Sequence, residues 1–269
     1  MSSYRLKNVI ILILLFMNLA FLFLVLEQMH TRQKEKNALQ QQVYALYENS
    51  GIRLDLGQLS ENTDFYTLEL QRDDAAEAAF VEDILGSTPT SEEQGGGTIL
   101  YTGENGQARF RSSGSFELYV QNLPVEDPQN YCRQLCQRYN YVDLQSSQEE
   151  DGTLLYTATA TGEGKTVYPC SITFAFQQGC LQQVYGYFLP QQGKVLDPCT
   201  ATKASALVAF LNYCMTNGLV CNEVQDLSPG YMLLPSSTAS LRLVPVWQLR
   251  TDVSSYYVDA KSHTILQGT

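Results

Sequence analysis

Residues Val9 to Leu26 read VIILILLFMNLAFLFLVL, a run without a charge in which Asn18 is the one clearly polar member. As a helix it would reach about 27 Å, close to the hydrocarbon thickness of a thin bilayer. A secretory signal would share the basic residues Arg5 and Lys7 ahead of the run. Its apolar region is shorter, however, and small residues mark its cleavage site. EQMHTRQKEK follows Leu26 and offers no such site. The run is therefore expected to be a retained transmembrane helix (9–26), preceded by a short cytoplasmic tail (1–8).

Orientation is less constrained. Arg32, Lys34 and Lys36 lie beyond the run and balance Arg5 and Lys7 before it. The basic-residue bias divides, while long domains translocate largely regardless of charge. The short leading segment and the cysteine usage favour a single-pass protein of the cell membrane with its C-terminal domain outside the cytoplasm.

Beyond residue 36 the chain carries 12 basic and 26 acidic residues, a net charge of −14. Such a surface is a poor partner for nucleic acid, which needs basic patches. The apolar content is that of a folded globule rather than a disordered tail.

All seven cysteines (Cys132, Cys136, Cys170, Cys180, Cys199, Cys214 and Cys221) lie in the second half. Outside the cytoplasm some are able to pair, but the spacings leave the connectivity open, and an odd count leaves at least one free within a monomer. Cys132 and Cys136 share one face of a helix. There is no C-x-x-C motif or paired zinc spacing, and His30 and His263 are the only histidines, so neither metal nor cofactor is expected.

After the apolar run, residues 27–50 read as a helical stalk in which Leu39, Val43 and Leu46 recur at four and three, with Tyr47 alongside and Gly51 as the stop. That stripe either docks on the chain's own domain or packs against a partner helix. Asn18, Ala20, Leu39, Val43 and Leu46 are the candidate interaction residues, Asn18 and Ala20 because polar and small positions allow close helix approach in a membrane.

The rest alternates helix and strands. DDAAEAAFVEDILG (73–86) is a capped helix, followed by a loop STPTSEEQGGG and a hairpin turning at Glu104-Asn105-Gly106. DPQNYCRQLCQRYN opens a second helix with Asp127 as cap and Pro128 at the first position. Strands follow at LLYTATA, VYPCSITFAF and LQQVYGYFL. A third helix starts near Thr202 with Leu207, Phe210, Leu211 and Cys214 as its buried stripe. GYMLL, LRLVPVWQLR, SYYVDA and HTIL close the chain as strands, Pro245 marking an edge strand or a bulge. The expected class is α+β: antiparallel sheets, each packed with helices, in a first lobe (51–124) and a second lobe (125–269).

Enzymatic motifs are absent. Ser112-Ser113 and Ser236-Ser237 stand in polar loops without a nucleophile elbow. Gly95-Gly96-Gly97 lacks the Lys-Ser/Thr of a phosphate loop. Trp247 with Tyr256 and Tyr257 is either an aromatic platform or core packing, and alternation along the strand favours the core.

Gly230-Tyr231, Pro245-Val246-Trp247, Thr251-Asp252 and Tyr256-Tyr257-Val258-Asp259-Ala260, placed behind an anchor and stalk, carry a resemblance. The arrangement resembles the YycI/YycH regulatory-protein family and the related PepSY-type module, mainly over residues 196–269. Lys261-Ser262-His263 stands where such modules place a turn glycine. The resemblance implies a non-enzymatic protein of Gram-positive-type bacteria. It implies as partners a YycH-like protein and a WalK-type sensor histidine kinase of a two-component system controlling cell-wall metabolism. The alternative it leaves open is a PepSY-type inhibitor or chaperone of an extracytoplasmic protease or cell-wall enzyme.

Overall fold

The computed structural model describes residues 2–57, 59, 62–191, 193–235 and 240–266. Within α1 the side chains of residues 2–13, 15, 19, 26, 30–32 and 36 lie outside that description, as does the Ser236-Ser237 pair.

Helix α1 (Ser2–Asn49) runs without a break through the apolar segment and the stalk. Among the described residues no helix is long and apolar enough to cross a membrane. Several side chains on which the expected span depends, from Val9 to Ile13 and at Leu15, Leu19 and Leu26, lie outside them. Those that are described, including Phe16, Phe21, Phe23 and Leu24, are exposed. The helix ends as expected at Gly51, whose φ of 72° suits a residue without a Cβ. Gly51 N–H donates to the Glu48 carbonyl at 3.0 Å and Ile52 N–H to that of Tyr47 at 3.0 Å. This pair of bonds satisfies the last carbonyls of the helix and turns the chain back on itself.

Strands β1 (Arg53–Leu54) and β2 (Asn62–Gln71) lead to α2 (Asp74–Leu85). A meander follows: β3 (Thr90–Gly95), β4 (Thr98–Gly103), β5 (Gly106–Phe110) and β6 (Ser115–Pro124). Helix α3 (Pro128–Arg138) opens a second meander of β7 (Tyr141–Gln148), β8 (Leu154–Gly162), β9 (Lys165–Gln177) and β10 (Cys180–Tyr187). Strand β11 (Gly193–Thr202) and α4 (Lys203–Asn217) precede β12 (Glu223–Pro235), β13 (Ser240–Thr251), β14 (Ser255–Asp259) and β15 (Ile265–Leu266). The class is α+β with one large, mostly antiparallel sheet, its main path running β11-β2-β13-β12-β9-β10-β6-β5-β4-β3.

The capping residues act as their sequence positions predict. Asp73 accepts from Ala76 N–H, Asp127 from Asn130 N–H and Thr202 from Ser205 N–H, at 3.0, 3.0 and 3.2 Å. Each satisfies a helix N–H that would otherwise lack a partner.

Two expectations about strands fail. The segment TSEEQG, expected as loop, is the outer strand β3, exposed along its length and paired only with β4. Gly96 and Gly97, at φ 61° and 72°, form the two-residue turn between them, where both positions need positive φ. Pro245, expected to mark an edge strand or a bulge, sits instead inside β13, which has partners on both sides and pairs with β12 there without a register shift. On one side β12 pairs along its length. On the other, β2 pairs with residues 240–243 and β14 with 246–250, so Pro245 falls in the gap between them. Its missing N–H costs no ladder bond there, and its carbonyl accepts from Ala260 N–H at 2.9 Å.

Two cores result. In the first, α2 rests on β4 and β5 and α3 on β7 and β8. Phe80 lies at its centre, with ring centroids 5.2 Å from Phe116, 5.1 Å from Phe188 and 6.3 Å from Phe110. The second joins Val43 and Tyr47 of α1 to Leu207, Phe210 and Cys214 of α4 and to Phe65, Trp247 and Val258. The boundary expected at 124/125 falls inside the first core, which holds Phe110, Leu118, Cys132 and Cys136 together. Strands β2, β12 and β13 serve both: Leu68, Tyr231 and Leu243 in the first, Phe65, Leu227 and Trp247 in the second.

Candidate functional site

The stalk meets the folded domain along α4. Val43 and Tyr47 are each only 1% exposed, so the face of α1 carrying them is closed off by its own chain. The Tyr47 hydroxyl donates to the Leu207 carbonyl within α4 at 2.9 Å. Burial pushes its phenol well above the ordinary range, with Cys214 and Cys221 close enough to add to the effect, so it stays a neutral donor. One turn earlier Tyr44 donates to the Leu56 carbonyl at 2.6 Å, and the Gln40 amide to that of Gly57 at 3.3 Å. Two side chains thus stitch the end of α1 to the segment that follows it, and a third ties it to α4.

The candidate interaction residues separate into three groups. Val43 is not available to a partner: the four-and-three stripe that singled it out is the docking face, and Tyr47, placed alongside that stripe, is its second anchor. Leu39 and Leu46 are 40% and 47% exposed and remain accessible. Asn18 and Ala20 stand exposed on the part of α1 beyond the domain, where the Asn18 amide donates back to the Leu14 carbonyl at 2.9 Å.

Leu39 forms one wall of an open groove of about 500 Å³. Thr202, Ala204, Ser205 and Val208 of the opening turns of α4 form its floor, and His263 closes one end. The lining is mostly small and apolar. Nothing in the stalk pattern pointed to Val208, which is 37% exposed because α4 turns its stripe of Leu207, Phe210 and Leu211 inward and leaves this flank open.

The motif residues behind the family resemblance are structural. Gly230 faces Thr166 where β12 and β9 pair in parallel. A Cβ there would strike the Tyr168 ring and lie 2.7 Å from the Thr166 carbonyl oxygen, so the two strands approach only over glycine. Trp247 is 1% exposed and meets Phe65 edge-on at 5.6 Å, which makes it core packing rather than a platform. Tyr256 packs on Phe210 at 4.9 Å. The Thr251 hydroxyl donates to the Ser254 carbonyl at 2.8 Å and accepts from Ser254 N–H at 3.0 Å, closing the β13–β14 turn.

Asp252 accepts from Asn222 at both its backbone and side-chain nitrogens, at 3.0 and 2.8 Å, and these bonds hold its carboxyl below the ordinary range. Asp259 accepts from the N–H groups of Lys261 and Ser262, both at 2.7 Å. His263, at φ 58°, takes the left-handed position that the expected turn glycine would fill, a conformation in which histidine is comparatively frequent.

A buried ion pair lies apart from this site. Arg72 donates from Nε and Nη2 to the two oxygens of Glu77 at 2.9 and 2.8 Å, and the Tyr101 hydroxyl donates to the same carboxylate at 3.0 Å. Every group is partnered, and the pair fastens α2 to the sheet. Among the described residues no group of three or more His, Cys, Asp or Glu gathers as a metal site.

No family model matches the chain, and no curated protein matches it. Among solved structures, it is similar in fold to an uncharacterized protein from Eubacterium rectale at TM-score 0.50 and 8% identity, over 80% of this chain and 89% of that one. The C-terminal domain of Bacillus megaterium YpeB matches at TM-score 0.39 and 8% identity over 74% and 97%. YycH from Bacillus subtilis matches at 0.40 and 9% over 74% and 53%.

Proposed function

We propose that this chain is a non-enzymatic, single-pass membrane protein whose extracytoplasmic domain regulates a WalK-type sensor histidine kinase through protein–protein contacts, together with a YycH-like protein. The observation that carries the reading is the unbroken α1, whose last turns are buried in the second core while its described side chains between residues 14 and 29 are exposed. A helix fixed at one end and unpacked elsewhere is a mechanical link. A contact on the domain shifts the helix, and the shift reaches whatever the helix packs against.

Insertion in a bilayer is supported by the sequence of the free part. Phe16, Phe21, Phe23 and Leu24 are exposed on this helix, and among the described residues the run buries none of its apolar side chains, a surface water does not favour. Lipid removes that cost, and Val9 to Leu26 have the length for it. Leu39 then stands about 20 Å beyond the run, within reach of a partner's membrane-proximal segment. Regulation of this kind needs different affinities for two states of the partner, carried by Leu39, Leu46 and the groove on the outside and by Asn18 and Ala20 in the membrane.

The test is capture from the native membrane by crosslinking, with the full-length chain beside a version whose residues 1–36 are exchanged for an unrelated anchor. Recovery of a sensor kinase or YycH-like protein with the native helix only is the expected result. Recovery of a protease or wall enzyme by both versions would instead favour the inhibitor or chaperone.

A further inference from the structure

Cys214 and Cys221 stand on either side of the turn that ends α4. The α4 terminus reverses at Gly218, where Gly218 N–H and Leu219 N–H (the latter at 3.0 Å) both donate to the Cys214 carbonyl. The chain returns along the helix end, so that Cys214 and Cys221 are buried in the same cluster and both approach Tyr47. On the far side the return is fixed by Asp252, which holds Asn222 by two hydrogen bonds, and by β1, whose Arg53 pairs with Glu223. Both thiols are held from both ends.

We propose that Cys214 and Cys221 are an oxidation site, forming a disulfide that closes the α4 terminus against Tyr47 at the foot of the stalk. The two cysteines of α3 lack this geometry. Cys132 and Cys136 are four apart on α3, where Cβ atoms stand about 5–6 Å apart, more than the roughly 3.5–4.5 Å that a disulfide spans. Cys199 donates to the Ala260 carbonyl at 3.6 Å. The Cys214 and Cys221 side chains interact directly with each other, and burial with that proximity pushes the Cys214 thiol up to about 11. The pair is accordingly inert until a disulfide-bearing donor reaches it.

The step is thiol–disulfide exchange. Cys221, at 7% exposure the more accessible of the two, loses its proton and attacks a sulfur of the donor disulfide, releasing one donor thiol. Cys214, deprotonated in turn, displaces the second donor thiol. The chain gives up two electrons and two protons, and the donor leaves as two thiols. For a donor in the cell the inference rests on the extracytoplasmic placement proposed above, since disulfides persist in oxidising compartments.

Purified full-length protein is exposed to oxidised glutathione, quenched with a maleimide in denaturant, reduced, labelled with a second alkylating agent and digested. The expected result is the second label on Cys214 and Cys221 alone among the seven, in a Tm raised by roughly 5 °C that reductant reverses. Cys214→Ala should abolish the reductant-sensitive rise. First label on both residues after oxidation, or Cys221 linked to any other cysteine, overturns the proposal. The same labelling on protein taken directly from cells separates the two readings. A pair that links in vitro but is reduced in the cell keeps this inference and counts against the extracytoplasmic placement.

Discussion

The first core is closed by residues from its own helices and strands, whereas the second lacks one wall until Val43 and Tyr47 of α1 fill it. The first is aromatic at its centre and sealed at one corner by the Arg72–Glu77 pair. The second is built mainly from aliphatic side chains and thiols, with separate Phe65–Trp247 and Phe210–Tyr256 contacts in place of one aromatic cluster, and the stalk belongs to it. A core that is complete without α1 has no means of sensing how that helix sits. One that includes α1 must repack if the helix turns or slides, because close-packed interiors do not deform continuously. Under the proposed function, the difference makes the first region the scaffold and the second the coupling element. The three strands that run through both make them one sheet.

That last point is open to the strongest test. Phe80→Ala empties the centre of the first core and should cost about 4 kcal/mol. Trp247 is the only tryptophan and lies in the second core, so its fluorescence follows that region while circular dichroism follows the whole chain. With β2, β12 and β13 shared, both signals should shift to lower denaturant together. A fluorescence midpoint that stays put while dichroism moves would split the molecule into two units and remove the scaffold from the argument.

Glu77→Gln comes next. It leaves the Arg72 guanidinium, with a side chain 17% exposed, facing a neutral amide and paired only with the largely exposed Asp74 carboxylate at 3.1 Å, and the expected loss is about 3 kcal/mol. The comparison predicts that this variant still captures the same partners as the parent in crosslinking, since α1 and the groove are untouched. Lost capture at a temperature where the variant remains folded would place function in the first core.

Tyr47→Phe removes one hydroxyl and keeps the ring. The Leu207 carbonyl then loses a buried donor, worth about 1 kcal/mol, far less than either change in the first core. If the second core couples the stalk to the domain, this small change should alter partner capture more than Glu77→Gln does. The opposite order would invert the roles of the two regions.

Much of this was legible in the chain. Gly51, Gly86 and Gly218 end helices where the sequence places them, Asp73, Asp127 and Thr202 begin them, and Leu207, Phe210, Leu211 and Cys214 form the predicted stripe of α4. Such signals are local: a cap or a period of 3.6 needs only its neighbours. What could not be read is non-local pairing. Pro245 marks an edge or a bulge by rule, and only the meeting of β2 and β14 on one flank of β13 leaves it a gap inside the sheet. The polar TSEEQG becomes a strand because β4 is there to pair with it. The same holds for the site. A stripe of Leu39, Val43 and Leu46 reads as a sticky face, but whether it meets a partner or its own domain depends on α4, more than 150 residues away.

The smallest effect concerns Asp252, which fastens the returning chain beside Cys221 to the β13–β14 turn. Its bonds from Asn222 and Glu223 favour the carboxylate, so its folded-state pKa lies below the unfolded value of about 3.9. The contribution is complete above that unfolded value and is lost as pH falls through the lower, folded one. Titration of the Asn222 and Glu223 amide resonances should therefore stay flat through neutral and mildly acid pH and move only below about pH 4, with Asp252→Asn abolishing the step. Because the residue is exposed, global stability should barely respond. If the acid step also frees Tyr47, as read by the Trp247 signal, the turn beside Cys221 belongs to the coupling region. If the step stays confined to Asn222 and Glu223, the coupling stops at the α1–α4 contact.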